Sequence, residues 1–268
     1  MVLESILNPK KTEARPYILF VVAFVYTFVA AVTANHLFPS QASVLTIAFI
    51  TMLFIPLFQK LYEIEEFKED MAARRCENNI FSRHKGIIVV FSAFFLGTTI
   101  AMSFVYIFFG FENVFALQKE WFVTQGIVGT GNVVGFSDFF INNTQVMLLT
   151  FVLSTLFGAG ALFILAWNAS IIGVYTGLIS QAFAKGGIGL VPAYLYGLPV
   201  ALGSIAIHGV PEITAYFVAG IAGGILSVGI IKEKIGSPEF KKVFTDSIKF
   251  LMIAEALIIF AAWLEVVF

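Results

Sequence analysis

The sequence predicts an all-α protein, a polytopic transmembrane bundle of about seven helices forming a single membrane domain over 1–268. Three observations carry this. Of 268 residues, 59% are apolar and only 12% charged, with a mean hydropathy of +0.92. Soluble domains are nearer about 45–50% apolar and about 25% charged. Asp, Glu, Lys and Arg are absent from 16–59, 86–111, 139–184, 186–211 and 213–231. These gaps are continuously apolar, without the alternation of barrel strands.

A helix needs about 20 apolar residues to cross a hydrocarbon core of about 30 Å. Lys10, Lys11 and Arg15 precede the first gap, which is too long for a cleaved signal core and reads as a retained span. Run 16–59 holds two spans, split near 35–42 by Asn35, His36, Pro39, Ser40 and Gln41. Segment 60–85 carries six basic and six acidic residues and no Gly or Pro, so it reads as a cytoplasmic, solvated helix extending the second span. Residues 87–110 form the third span. Residues 250–268 form the last, interrupted only by Glu255 and Glu265.

Basic residues set the orientation. The N-terminus, 60–85 and the five lysines of 232–249 are expected in the cytoplasm, with 35–42 and 111–144 outside. An odd number of crossings then separates 144 from 232. Three fit best, and a re-entrant segment would reduce the total to six. Run 139–184 or run 186–231 holds the extra crossing. Seven spans put the C-terminus outside.

Polar residues inside the apolar runs are the candidate functional residues. Asn142 and Asn143, with Thr144, are placed to cap a helix start. Asn168, beside Trp167, marks a break or an interfacial anchor. His208-Gly209-Val210-Pro211-Glu212 reads as a helix break: Gly209 ends one helix, Pro211 opens the next, and Glu212 sits in its first turn. His208 then caps that turn or pairs with Glu212. Gly173/Gly177 and Gly220/Gly224 have the small-xxx-small spacing that brings helix backbones together, between subunits of a homodimer or within one chain.

Several function classes are disfavoured. A net charge of −1 gives no basic face for nucleic acid. Cys76 is the only cysteine, and His36, His84 and His208 are scattered, so neither a metal site nor a cofactor is expected. Ser204 and His208 share a helix face, yet no nucleophile elbow surrounds Ser204, so enzyme activity is not expected. Broken helices around His208 and Glu212 would also suit a transporter or ion pathway.

The pattern over 126–231 resembles the stage II sporulation protein M family. The resemblance lies in Asn142-Asn143 before a long helix, Phe157-Gly158, Asn168 with Gly173, His208-Gly209-Val210-Pro211-Glu212, and Ala219-Gly220-Ile221-Ala222-Gly223. The opening, Met1 to Lys11, is similar to that of short archaeal members. Ile207 stands where the family usually has Pro, and Ala169 where it often has Gly. The resemblance implies a multi-pass membrane component without chemistry of its own. In spore formers it implies work beside cell-wall-degrading partners during engulfment. An archaeal cell lacks peptidoglycan, so the carried-over expectation is a scaffold that organises other membrane proteins or remodels the bilayer.

Overall fold

The computed structural model describes residues 8–75, 80–124 and 135–267. Cys76, the Met1–Leu7 opening and the 126–134 part of the family-like pattern lie outside the described residues. Every described element is helical: α1 (Pro9–Ala14), α2 (Pro16–Leu37), α3 (Ala42–Arg75), α4 (Ile80–Phe108), α5 (Ala116–Thr124), α6 (Phe136–Phe157), α7 (Ala161–Lys185), α8 (Leu190–Lys232) and α9 (Pro238–Val267), with short 3-10 turns at Pro39–Gln41 and Glu112–Phe115. Seven of them, all but α1 and α5, contain a stretch long and apolar enough to cross a membrane.

The outer faces of these helices fit a hydrocarbon solvent. Val21, Val25 and Val29 on α2, Leu148, Val152 and Leu156 on α6, and Met252, Phe260 and Trp263 on α9 are all exposed. In water such contiguous apolar surface is an association hazard; in a bilayer it is the ordinary outer surface.

α8 is the central helix. It packs on α6, α7 and α9 and also touches α3 and α4, and residues 215–227 are buried without interruption. Small residues make the close approaches possible. A Cβ at Gly223 would lie 2.4 Å from the Phe151 carbonyl oxygen, and one at Gly220 would lie 2.7 Å from the Ala161 methyl. One at Gly224 would strike the Tyr62 ring at 2.4 Å. Aromatic packing fills the space between α3, α4 and α8, with the Phe58 and Phe91 rings 4.8 Å apart and Phe91 stacked on Phe217 at 5.4 Å.

Run 139–184 holds the extra crossing. It is cut at Gly158–Gly160, between α6 and α7. Gly158 adopts φ 66°, the left-handed region open to glycine, and a Cβ at Gly160 would sit 2.3 Å from the Leu153 carbonyl. The Ser154 hydroxyl accepts a 2.9 Å hydrogen bond from the Ala161 N–H and so caps α7. No break occurs at Trp167-Asn168, which lie inside α7. There the Asn168 amide donates to the Ile164 carbonyl at 2.9 Å, a bond that stays within its own helix.

The expected break at His208–Pro211 is absent. α8 continues through it as one 43-residue helix containing Pro199 and Pro211. At 1.5 Å per residue it is about 65 Å long, twice the core thickness. α7 and α8 run antiparallel, with Ser180 against Gly197 near one end and Ala161 against Gly220 near the other. Between those points α7 advances about 28 Å and α8 about 34 Å. α8 therefore takes a longer path than α7 between the two contacts, and both Pro199 and Pro211 lie within that stretch.

The charged end of α3 is not the freely solvated connector that its composition predicts. Leu61, Tyr62, Glu65 and Glu66 are buried there. His84, expected in a loop, is buried near the start of α4 and bonded to the Glu65 carboxyl, which also takes the Lys68 ammonium at 2.5 Å. The His84 ring lies 5.1 Å from Phe250 on α9, and Lys232 reaches Glu66 at 3.5 Å. At the opposite end, buried Gln118 of α5 accepts from Ser43 at 2.8 Å and donates to Ser170 at 2.9 Å, fastening the short helix between α3 and α7.

Candidate functional site

The embedded polar residues converge where α6, α8 and α9 meet. α6 and α8 run in the same direction, with Asn143 beside Glu212 and Ser154 beside Gly223. α9 runs antiparallel to α8, placing Val243 against Gly229, Ser247 against Ala222 and Glu265 near His208. This register draws together side chains more than a hundred positions apart.

Glu212 lies in the middle of α8, so the positive end of a helix dipole is not what holds it. Its carboxyl accepts a 2.9 Å hydrogen bond from the Tyr216 hydroxyl one turn along, and the Asn143 side chain bonds the same carboxyl from α6. Asn143 and Tyr216 are both buried. The Asn142 amide donates to the Asn143 side-chain oxygen at 3.0 Å, which orients the Asn143 amide group. Neither asparagine caps a helix. α6 begins six residues earlier, and its first turn is closed by the Gly135 N–H donating to the Asp138 carboxylate at 3.0 Å.

His208 does not pair with Glu212. Its Nε2 lies 3.8 Å from a carboxyl oxygen of Glu265 on α9. Glu265 in turn lies within electrostatic reach of both Glu212 and Tyr216. A third acid, Glu255 of α9, accepts a 3.2 Å hydrogen bond from Thr144 of α6. Glu212 is hydrogen-bonded to Tyr216 and Asn143, the His208–Glu265 pair lies beside them, and Thr144 with Glu255 makes a separate contact between α6 and α9, so polar contacts tie the three helices together. Glu255, Glu265, Thr144 and Tyr216 do not stand out in the sequence as members of a site. The signal available there was the pair of acids in an otherwise apolar last span.

Buried carboxyls are costly unless donors surround them, and a membrane interior sharpens that cost. Every acid of this network has a group on its own helix or a neighbour that meets it. The arrangement binds α6, α8 and α9 together, and it also concentrates titratable groups inside a span. Among the described residues, no three His, Cys, Asp or Glu side chains converge as a metal site would require. Ser204 is exposed, and its hydroxyl contacts the Ala201 carbonyl at 2.8 Å and the Tyr175 hydroxyl at 3.1 Å.

The helix-packing glycines face other helices of the same chain. Gly173 meets Met102 and Ser103, Gly177 the Tyr106 ring, Gly220 the Ala161 methyl and Gly224 the Tyr62 ring. Those four faces are occupied within the subunit. Gly209 lines a crevice between α4, α7 and α8, and Pro211 lies inside α8.

The family model for stage II sporulation protein M matches residues 90–268. The matched stretch contains the whole polar network and every helix from most of α4 onward, while α2 and α3 lie before it. Comparison with curated proteins and with solved structures finds no match.

Proposed function

The chain belongs to the stage II sporulation protein M family, and on that premise we propose that it is a non-catalytic membrane scaffold. It organises other membrane proteins or shapes the bilayer around them. The observation that carries this reading is the internal pairing of the embedded acids. Tyr216 and Asn143 meet Glu212, Thr144 meets Glu255, and His208 meets Glu265, so the network acts as a fastener between three helices. A rigid core of this kind, surrounded by an apolar girdle, suits a protein whose partners lie beside it in the membrane.

The proposed orientation places the N-terminus in the cytoplasm and the C-terminus outside. Arg15, Lys60, Lys68, Lys232, Lys234, Lys241 and Lys242 lie toward one end of the bundle, against Lys119 and Lys185 toward the other. This asymmetry supports the reading through the positive-inside rule.

The test is purification of the tagged chain in mild detergent after cross-linking in intact cells. The scaffold reading expects a reproducible assembly with one or more defined membrane proteins. Recovery of the chain alone, under conditions that preserve other membrane complexes, contradicts it. A second reading, a proton or cation pathway, is favoured by one observation: Glu212, Glu265 and His208 gather inside spans.

A further inference from the structure

We propose that the turn between α6 and α7 binds the phosphate group of a membrane phospholipid. A helix leaves its first N–H groups without partners of its own, and hydrocarbon supplies none. At α7 the Ser154 hydroxyl takes the Ala161 N–H, while Leu162 and Phe163 donate to the Ala159 and Gly160 carbonyls. The three preceding N–H groups, of Gly158, Ala159 and Gly160, meet no acceptor among the described residues. The C-cap N–H groups of α2, α7 and α8 donate back into their own helices, but that of α6, on Gly158, does not. Consecutive free donors thus stand at the positive end of a 25-residue helix, an arrangement that favours an anion.

Ser227 of α8 supplies an independent observation. It is only 8% exposed, yet its hydroxyl makes no hydrogen bond among the described residues. The buried hydroxyls of Thr150, Thr176 and Ser180, by contrast, each turn back onto a carbonyl of their own helix at 2.8 Å. A Cβ at Gly158 would lie 4.0 Å from the Ser227 Oγ and 4.0 Å from the Gln59 Cγ of α3, so both side chains face the turn and glycine leaves the space between them open. A buried hydroxyl without a partner, aimed at unpaired N–H groups, is costly unless something carrying oxygen sits between them.

Depth and surroundings select the occupant. Counted from Ala42 at the start of α3, Gln59 lies about 26 Å along the helix, near the far side of a core about 30 Å thick. Lys60 follows Gln59, and Lys232 stands five residues beyond Ser227, so the turn lies at the lysine-rich end of the bundle. Leu156 and Phe157, just before the turn, are 68% and 67% exposed, which suits acyl chains beside the donors and not open water. Negative oxygen at the edge of the core, with hydrocarbon attached, is the chemistry of a phospholipid. A sugar lipid brings the hydrocarbon without the charge, and a soluble phosphate brings the charge without the hydrocarbon.

The test offers the intact, delipidated chain either dioleoyl phosphatidylglycerol or a dioleoyl galactolipid in detergent and counts bound lipid by native mass spectrometry. Retention of one phosphatidylglycerol per chain is expected, with about tenfold less galactolipid. Retention is expected to fall about fivefold in Ser227→Ala and in Gln59→Ala. Both lipid-free variants are expected to melt as the unaltered chain does, because the Ser227 hydroxyl has no partner to lose and Gln59 is exposed. Ser204→Ala, which removes a hydroxyl from an exposed position elsewhere on α8, is expected to leave retention unchanged. Equal retention of the two lipids, full retention in both turn variants, or equal loss in Ser204→Ala overturns the proposal. Displacement of the lipid by inorganic phosphate alone also overturns it and assigns the turn to a soluble phosphate compound. The inference does not rest on the scaffold reading, because lipid retention is measured without any protein partner.

Discussion

Tyr216 donates a 2.9 Å hydrogen bond to the carboxyl of Glu212, one turn earlier on the same helix. The bond lies at the centre of a network that also draws Asn143 from α6 and brings Glu265 of α9 close by. An embedded acid with these partners belongs to the internal architecture of the bundle. Its substitution therefore has graded consequences.

Glu212→Ala is expected to lower stability in detergent by about 1–3 kcal/mol, because Tyr216 and Asn143 lose their shared acceptor. Glu212→Gln keeps an oxygen for the Tyr216 hydroxyl and is expected to cost less than about 1 kcal/mol. Thermal melts of the two purified variants check the ordering. Equal losses would show that the negative charge itself, and not the hydrogen-bond acceptor, is what the bundle needs.

The glycines of α8 divide by what surrounds them. Gly223→Val forces a side chain against the Phe151 carbonyl and Ser154 and is expected to destabilise by about 1–3 kcal/mol or to prevent folding. Gly203→Ala fills open space and restricts the unfolded chain, with an expected gain of about 0.5–1 kcal/mol. Parallel melts of both variants read opposite signs.

At the charged end, Glu65 and His84 form a buried pair joining α3 to α4. Removing one partner from such a pair costs about 3–5 kcal/mol, whereas replacing both with apolar groups is often near neutral. Glu65→Leu alone is therefore expected to be more damaging than the Glu65→Leu/His84→Leu double variant. A double-mutant cycle measured by denaturant unfolding gives the coupling.

Orientation is open to direct measurement. In a Cys76→Ser background, cysteine introduced at Gly187, between α7 and α8, is expected to react with a membrane-impermeant maleimide added to intact cells. Cysteine at Ser237, between α8 and α9, is expected to react only after the cells are opened. The reverse pattern inverts the assignment.

Much of the fold was legible because charge is so expensive in hydrocarbon that its absence outlines the spans. The gaps at 16–59, 86–111, 139–184, 186–211 and 213–231, with the apolar run at 250–268, mark the membrane helices but not every boundary. The turn at Gly158–Gly160 carries no charge and no proline, so composition did not separate it from the helix-packing glycines nearby. His208-Gly209-Val210-Pro211 misled in the opposite direction. In a membrane helix, proline bends the chain without ending it, because neighbouring groups make up for the lost bond and no water competes for the backbone. α8 continues through it without a break.

The candidate site was legible only in part, for a different reason. Glu212 and Asn143 are conspicuous as polar groups in apolar runs. Their association, however, is set by which helices pack and in what register. Glu255 and Glu265 approach α6 and α8 only because α9 returns antiparallel along α8. Closeness in sequence offered His208 the next helix start or Glu212 as its partner, whereas tertiary packing gives it Glu265.

Proton flux into proteoliposomes tests most directly whether this network fastens helices or conducts. The purified chain is reconstituted with an internal pH-sensitive dye, a pH step is imposed, and the unaltered protein is compared with Glu212→Gln and with protein-free vesicles. A fastener predicts that all three relax at the same rate. Rapid flux through the unaltered chain, abolished in a Glu212→Gln variant that folds normally, would contradict the account and establish an ion pathway in its place.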